Sequence, residues 1–335
     1  MHLRAASPRE LNSVRHILFV TATRIGDAVL STGLLAHLIE RYPQARVTIA
    51  AGPDAAPLFE AVPGIERLIT VSKRRYSLHW LELYRAVVWR RWSLVVDLRG
   101  SALAYLLWAR ERWVIAKGDP RRHRVEQLAE IAGLSQPPAP RVWTAERHEA
   151  AAARLVPPGG PVLAIGPAAN WRGKTWAAER FAELAVRLTA PAGLFPGARV
   201  AVLAAAHERP QAEPLLAALP SAQRIDLVGQ VDLLTAAAVL RRCRFFIGND
   251  TGIMHLAAAA GTPTLGLFGP SPPEQYAPWG AHAAIVTTTV PYAELVGAPE
   301  FDHRTTPSLM DTLSVDATEA GVRSLWQRIV EEAAD

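Results

Sequence analysis

Residues 248–280, GNDTGIMHLAAAAGTPTLGLFGPSPPEQYAPWG, decide the fold. An apolar strand, RFFIG, ends at Asn249–Asp250. A helix begins at Thr251–Gly252 and runs through MHLAAAAG, and a second apolar strand, PTLGLFG, empties into a Pro-rich loop. Strand, helix and strand in this order make one unit of a parallel sheet. In open sheets of that type ligands sit beyond the carboxyl ends of the strands, and a helix N-terminus there turns free N–H groups toward an anion. Gly252 has no side chain to hold a phosphate off the backbone, while Thr251 and His255 add donors from the first turn. The element reads as a site for a diphosphate-bearing ligand. Asp250 has a second reading as the N-cap of that helix, a role Asp commonly fills.

The 335 residues exceed what one core usually serves, so two domains are expected. Half the residues are hydrophobic and 20% are charged, an ordinary globular composition. The single cysteine, Cys243, excludes an internal disulfide and suits a reducing compartment. It follows an apolar helix, LLTAAAVLRRC, and reads as a small buried hydrophobe. No apolar run reaches membrane-spanning length, and HILFVTA is too short and too late for a signal peptide, so a soluble intracellular protein is expected. Charge is unevenly placed. Residues 1–155 hold 23 Lys/Arg against 14 Asp/Glu, a net +9, and residues 156–335 hold 13 against 17, a net −4. A basic first half points to an acidic partner: nucleic acid, anionic lipid or a phosphorylated substrate.

Working outward from the opening element, the chain reads as two α/β halves. In the first, HILFVTA, RVTIAAG, RLITV, LVVDLRG and RWVIAKG are strands, alternating with helices over 26–41, 54–61, 80–92, 101–110 and 125–134. SQPPAPRVW (135–143) is a Pro-rich connector, and TAERHEAAAARLV (144–156) is a helix leading to the break PPGGP. The second half repeats the alternation with PVLAIGPAA, ARVAVLAAA, RIDLVG, RFFIGND, TPTLGLFG and AAIVTTT, and helices over 177–190, 208–218, 232–243 and 252–260. An irregular stretch, 290–313, precedes a last helix over 314–333. The expected domains are therefore 1–157 and 158–313, with 314–335 as a terminal helix and a ligand cleft between the halves.

Two further loops carry chemistry. TRIGD (23–27) follows the first strand; Gly26 permits a tight turn, and Asp27 stands at the start of the next helix. Its carboxylate reads equally as a general base on an incoming hydroxyl or as an N-cap. A lone glycine here, without G-x-G-x-x-G, argues against an NAD-type site. NWRGKTW (170–176) follows the strand VLAIG. Its A-x-x-x-x-G-K-T spacing mimics a P-loop, but Ala168 takes the place of the first glycine and Trp171 is bulky for a loop that wraps a phosphate. Lys174 serves as a point charge for a diphosphate or as a solvated loop lysine. No D-x-D occurs, and no His/Cys/Asp/Glu cluster has metal-ligand spacing, so no metal cofactor is expected.

Three segments, ILFVTATRIGDAVLSTGLLAHLIERYP, IGPAANWRGKTWAAERFAEL and GNDTGIMHLAAAAGTPTLGLFGPSPPEQYAPWG, occur in that order over nearly the whole chain, and with them the sequence resembles glycosyltransferase family 9, the heptosyltransferases of lipopolysaccharide core assembly. The resemblance implies a GT-B fold: two Rossmann-like domains with parallel sheets facing a cleft and a C-terminal helix returning toward the first. It also implies metal-independent, inverting transfer from a nucleotide-activated sugar, ADP-heptose above all. Asp27 falls on that family's catalytic base. Lys174, Thr251 and Gly252 fall on its diphosphate contacts, with Thr175, Asp250 and His255 beside them, and Glu208 aligns with an acidic residue that binds ribose hydroxyls. Glu208 reads equally as a first-turn helix residue. Many relatives carry Cys-Met before the final helix, where this chain has Leu309-Met310.

The basic first half then suits an anionic lipid-linked saccharide. Residues 73–92, KRRYSLHWLELYRAVVWRRW, mix arginines with Trp80, Trp89 and Trp92, and RRHR (121–124) adds a second cluster. Trp and Tyr beside Arg suit a membrane interface, and Arg forks suit sugar carboxylates and phosphates. Arg24, Arg99, Arg121, Arg122 and Arg124 are the expected acceptor contacts; the same Trp residues read equally as core and the arginines as solvated. No nucleic-acid module is legible. The expectation is an inverting glycosyltransferase, peripheral to the inner face of the cytoplasmic membrane. A nucleotide-sugar epimerase or hydrolase, a P-loop NTPase and a non-catalytic nucleotide-sugar binding protein are the alternatives.

Overall fold

The computed structural model describes residues 15–116, 118–299 and 301–334. The chain divides at Trp143/Thr144 into two compact units.

The first unit runs β1 (His16–Val20), α1 (Ile25–Arg41), β2 (Arg46–Ala51), a 3₁₀ turn (Ala56–Phe59), β3 (Ile65–Thr70), α2 (Leu78–Val87), β4 (Trp92–Asp97), α3 (Leu103–Leu106), β5 (Ala109–Val114) and α4 (Arg124–Ile131). Its five strands are parallel in the order β3-β2-β1-β4-β5. Because β2 and β4 flank β1, the strand order reverses at β1/β4, and the loops after these two strands share one edge. Leu18 and Val20 of β1, Val95 of β4, Leu83 and Val87 of α2, and Leu103, Ala104 and Leu107 around α3 form one buried cluster. The helices α2 and α3 therefore cover the same side of the sheet. The expected helix over 101–110 is shorter, because Arg112 reaches back from β5 and takes the α3 carbonyls of Ala104 and Leu107 at 2.8 Å each, and Leu107 turns extended. The expected helix over 54–61 is a single 3₁₀ turn. Gly26 lies inside α1 without positive φ, so it is a helical residue and not a turn glycine.

The domain boundary lies earlier than the expected 157, for two packing reasons. The Pro-rich connector lies on α1: a Cβ at Gly33 would fall 2.1 Å from the Pro138 carbonyl, and Arg141 N–H donates to Thr32 Oγ1 at 2.9 Å. The next helix, α5 (Glu146–Leu155), belongs to the second unit, where Arg241 pairs with Glu149 at 2.8 Å and Arg242 donates to the Val156 carbonyl at 2.6 Å.

The second unit continues with β6 (Val162–Gly166), a 3₁₀ turn (Arg172–Lys174), α6 (Ala178–Thr189), β7 (Arg199–Val202), a 3₁₀ turn (Ala206–Glu208), α7 (Arg209–Ala218), β8 (Arg224–Asp226) and α8 (Leu233–Arg241). Then follow β9 (Phe245–Asn249), α9 (Gly252–Ala259), β10 (Thr264–Phe268), α10 (Pro273–Tyr276), β11 (Ala283–Thr287), α11 (Tyr292–Gly297) and α12 (Val315–Glu332). The six strands are parallel in the order β11-β10-β9-β6-β7-β8, so the order reverses at β6/β9. The strands β6, β9 and β10 are buried throughout, which is why they read as unbroken apolar runs. The stretch 290–313, expected to be irregular, contains α11. The final helix, expected to return toward the first domain, commits Val315, Val322 and Leu325 to the second unit's core beside Phe245 and Leu265. Its side chains cover β10, β11 and α6.

Candidate functional site

In the second unit the β6/β9 reversal places two loops side by side: 167–177 after β6 and 250–251 after β9. A sheet with this reversal opens a crevice at the carboxyl ends of the two strands. The strands are brought flush by glycine. Gly166 and Gly248 are register partners, and a Cβ on Gly248 would lie 2.9 Å from the Gly166 carbonyl and 2.7 Å from the Phe246 ring. A Cβ on Gly166 would meet Ile253 of α9 at 3.0 Å, so the first turn of that helix sits directly on the strand ends.

Lys174 and Asp250 meet in this crevice with Nζ–Oδ2 at 2.5 Å, and their side chains are 21% and 6% exposed. His255, one turn into α9, brings Nε2 to 3.7 Å from the other carboxylate oxygen. Burial pushes the Asp250 carboxyl upward, but His255 and Lys174 outweigh it and hold it well below the usual carboxylate range. Asp250 is thus not the N-cap; that position is Thr251, with extended backbone. Thr251 Oγ1 and His255 Nδ1 are buried without a hydrogen-bond partner, and so is Ser271 Oγ, on the loop after the adjacent β10. Buried polar atoms are rarely left unpaired, and Thr251 and His255 at the start of one helix, with Trp171 Nε1 unpartnered on the lysine loop, mark a place where a polar ligand supplies the partners. The free N–H groups at Gly252 and beyond add positive potential to the same spot.

The loop holding Lys174 is braced from several directions. Asn249, fully buried, accepts from the Trp176 N–H at 3.1 Å and donates to the Pro167 carbonyl at 2.8 Å, which ties the β6 loop to the end of β9. Trp176 donates its indole N–H to the Leu313 carbonyl at 2.8 Å, and Leu309 N–H donates to the Gly173 carbonyl at 3.0 Å. Met310 Sδ sits where a Cβ on Gly269 would fall. The Leu309-Met310 pair that departs from the family pattern therefore anchors the lysine loop through its backbone and fills the core. Trp171 packs edge-on to Phe301 with ring centroids 5.7 Å apart and lies within 5.9 Å of Lys174 Nζ. Lys174 closes a 3₁₀ turn, and α6 starts four residues later, so G-K-T does not open a helix as a P-loop does.

Two expected donor contacts are engaged in local structure. Thr175 Oγ1 donates to Gln211 Oε1 at 3.3 Å. One Glu208 oxygen accepts from the Ala205 N–H at 2.9 Å, reaching back over the 3₁₀ turn. The brace residues Asn249 and Gln211 carried no signal in the sequence beyond lying at strand and helix ends.

In the first unit, Asp27 is in the first turn of α1, three residues after the N-cap Arg24, and its carboxylate makes no hydrogen bond or ion pair among the described residues. It is partly buried, and Arg24 is exposed. The N-cap reading of Asp27 is thereby corrected: the carboxylate is left open at the β1/β4 reversal. On the adjoining loop Arg99 stacks 4.7 Å over the Trp80 ring. The RRHR cluster is largely compensated: Arg121 grips Asp119 with two bonds of 3.1 Å, and Arg122 pairs with Glu126 and Glu130. Arg124 lies 3.4 Å from Gln127. Of the three tryptophans, Trp92 is core, Trp80 is half-buried and Trp89 is exposed. Among the described residues no group of three or more His, Cys, Asp or Glu is placed to hold a metal, and no helix is long and apolar enough to cross a membrane.

Comparison with known proteins agrees with this arrangement. Lipooligosaccharide heptosyltransferase 2 of Haemophilus influenzae is 25% identical over 320 residues, covering 81% of this chain and 88% of that protein. The structure of the glycosyl transferase family 9 protein from Veillonella parvula superposes with a TM-score of 0.76 at 20% identity, covering 95% of this chain and 99% of that one. The Escherichia coli ADP-heptose lps heptosyltransferase II gives a TM-score of 0.73 at 20% identity, covering 93% and 99%. These structures share the two parallel-sheet α/β units, and the GT-B class expected from the sequence is the class of this fold. The model of glycosyltransferase family 9 (heptosyltransferase) matches residues 83–300, well over half of the protein and including the whole Lys174–Asp250–His255 constellation, and the chain belongs to that family and is a glycosyltransferase.

Proposed function

We propose that the protein transfers heptose from ADP-heptose to an anionic lipid-linked saccharide of the lipopolysaccharide inner-core type, with inversion at the anomeric carbon and without a metal, at the inner face of the cytoplasmic membrane. The observation that carries the donor half is the buried Lys174–Asp250 pair beneath the α9 N-terminus, with unpartnered Thr251, His255 and Trp171 atoms around it. The relatives named for ADP-heptose and for lipooligosaccharide support the choice of donor and acceptor class.

In this reading Asp27 takes the proton of the acceptor hydroxyl as its oxygen attacks the anomeric carbon. The bond from that carbon to the diphosphate breaks, and its electron pair leaves with the ADP. Lys174, the Thr251 hydroxyl and the α9 amides from Gly252 onward meet the charge that develops on the leaving group, the task given to a metal ion in other transferases. Arg24 and Arg99 take an anionic acceptor; Glu208 meets the ribose hydroxyls through the oxygen that its bond to Ala205 leaves over. An epimerase or hydrolase would need no acceptor, which separates those readings by experiment.

The test is a panel of nucleotide sugars scored by protection against thermal unfolding, followed by transfer to a lipid-linked acceptor in excess EDTA. A donor at a hundred times its dissociation constant protects by about 2.7 kcal/mol. Protection by ADP-heptose, acceptor-dependent loss of donor and an inverted anomer in the product are expected. Donor consumption without acceptor, or activity abolished by EDTA and restored by Mg²⁺, overturns the reading.

A further inference from the structure

The first unit carries an exposed apolar surface that the donor and acceptor chemistry does not use. On α2 the buried residues are His79, Leu83 and Val87, which fix the inward face. The opposite face reads Leu78, Leu81, Arg85 and then Trp89, at helical spacing, and it points to solvent; Trp89 is 93% exposed. The neighbouring α3 buries Leu103 and Ala104 in the same core cluster as Leu83 and Val87, and so turns Tyr105 and Leu106 outward on the same side of the sheet. Trp108, 67% exposed, completes the surface, with the Arg91 guanidinium 4.2 Å above its ring. Isolated exposed apolar residues need no explanation, but six large ones on two adjacent helices and their flanks do.

The surroundings say what covers this face. Residues 73–112 hold nine Lys/Arg against three Asp/Glu. Arg74 and Arg90 are paired with Glu82 and Glu66, whereas Arg85 and Arg91 have no carboxylate partner among the described residues. An anionic bilayer accepts both features at once: Trp and Tyr rings settle at the headgroup level, aliphatic side chains reach the acyl boundary, and arginines meet lipid phosphates. The surface is also rigidly presented, since Arg112 clamps the α3 carbonyls from β5.

We infer that the outward face of α2 and α3, centred on Leu81, Arg85, Trp89, Tyr105, Leu106 and Trp108, docks the protein on an anionic lipid surface. The inference rests on the proposed lipid-linked acceptor only for its purpose; the docking itself is independent of turnover. Binding comes from apolar insertion and charge together, so it weakens as salt screens the arginines, whose reach falls from about 8 Å at physiological ionic strength to about 3 Å at 1 M.

The full chain is mixed with vesicles of phosphatidylglycerol and phosphatidylcholine, or of phosphatidylcholine alone, and bound protein is measured by flotation. Binding to the anionic vesicles, reduced by salt, is expected. Arg85→Gln with Arg91→Gln should weaken partition about thirtyfold. Trp89→Ser with Trp108→Ser should weaken it about a hundredfold or more. Both residues of the aromatic pair are exposed, and unchanged melting shows that the variants fold. Equal binding to both vesicle types, or variants that float like the parent, overturns the inference. So does sedimentation showing a dimer that these substitutions break, because the face would then cover a second copy. Transfer to a lipid-free acceptor separates the two proposals. Vesicle binding without any transfer leaves the docking face standing and removes the proposed function; transfer with no vesicle binding does the reverse.

Discussion

Replacing Lys174 by Met tests the donor site through stability as well as activity. The substitution keeps the length of the side chain and removes its charge, leaving Asp250 as a carboxylate with 6% of its side chain exposed. Its remaining polar neighbour, His255 Nε2, is 3.7 Å away, beyond good hydrogen-bond distance. Breaking a buried pair by removing one partner costs about 3–5 kcal/mol. Lys174 is 21% exposed, so water can enter where the ammonium was, and the lower end, about 3 kcal/mol, is expected. For a unit of this size that lowers the melting temperature by about 6–12 °C. Asp250→Asn should cost less, because the amide still accepts a bond and the freed ammonium is the better solvated partner. The double variant should regain part of the loss, giving a coupling energy of about 1–3 kcal/mol.

The same pair predicts a pH dependence. The Asp250 carboxyl is held below its usual range in the folded protein, so its contribution to stability is present above the unfolded value near pH 4 and is lost as pH falls below it. Asp250→Asn should flatten stability over that acid range. The assay is thermal unfolding of the four proteins at neutral pH and at several acid values, with and without ADP-heptose, alongside initial rates. Turnover of Lys174→Met should fall about 10²–10³-fold, since one preorganised donor to the leaving charge is gone. A Lys174→Met protein that melts with the parent, couples to Asp250→Asn by less than about 0.3 kcal/mol and is protected by donor as well as the parent refutes the reasoning.

Asp27→Asn should reduce turnover about 10²–10⁴-fold while leaving melting and donor protection unchanged, because the carboxylate caps nothing; activity within a few-fold of the parent removes it as the base. Arg99→Gln should raise the acceptor KM and leave the donor KM alone, whereas Arg121→Gln with Arg122→Gln should change neither, since those side chains are already paired with Asp119, Glu126 and Glu130; a selective acceptor effect from the second pair restores the RRHR reading. Burial pushes the Cys243 thiol up to about 12, so it should resist alkylation at pH 8 until the protein unfolds; rapid labelling of the native protein contradicts its burial.

The parallel sheets were legible because β6, β9 and β10 are buried on both sides and spell continuous apolar runs, and the crevice at the β6/β9 reversal was legible because a strand end, a glycine and a helix start lie within a few positions of one another. Contacts over long sequence separation were not. Nothing local in the connector SQPPAPRVW tells that residues 135–143 lie on α1, or that the helix of 146–155 is held by Arg241 and Arg242 about ninety positions away. The tryptophans show the same limit. Trp92 and Trp89 stand in one aromatic, basic run, but Trp92 opens a strand and turns into the core, donating its indole N–H to the Val87 carbonyl at 3.0 Å, while Trp89 lies beyond the end of α2 in solvent. Composition gave both the same reading. Charge counting likewise missed the pairing within RRHR, where Asp119 lies just before α4 and Glu126 and Glu130 lie along it.

The first unit offers two carboxylates at its β1/β4 reversal, and their hydrogen bonding decides between them. Asp97, at the end of β4, is fully buried and accepts three bonds: from Arg99 N–H at 2.9 Å, Ser101 N–H at 3.0 Å and Ser101 Oγ at 2.5 Å. Those donors shape the turn around Gly100, whose φ is +61°, and they occupy three of the roughly four acceptor sites of the carboxylate. A base must be reached by a hydroxyl and must have a lone pair to offer it. Asp97, fully buried, fails the first condition. Asp27 meets both, because it is only partly buried and its side chain is bound to nothing among the described residues. The acid that holds the loop in place is thus distinct from the acid whose side chain is left unbonded, and the same division recurs in the second unit, where Asn249 braces the lysine loop while Lys174 and Asp250 meet His255 at the start of α9.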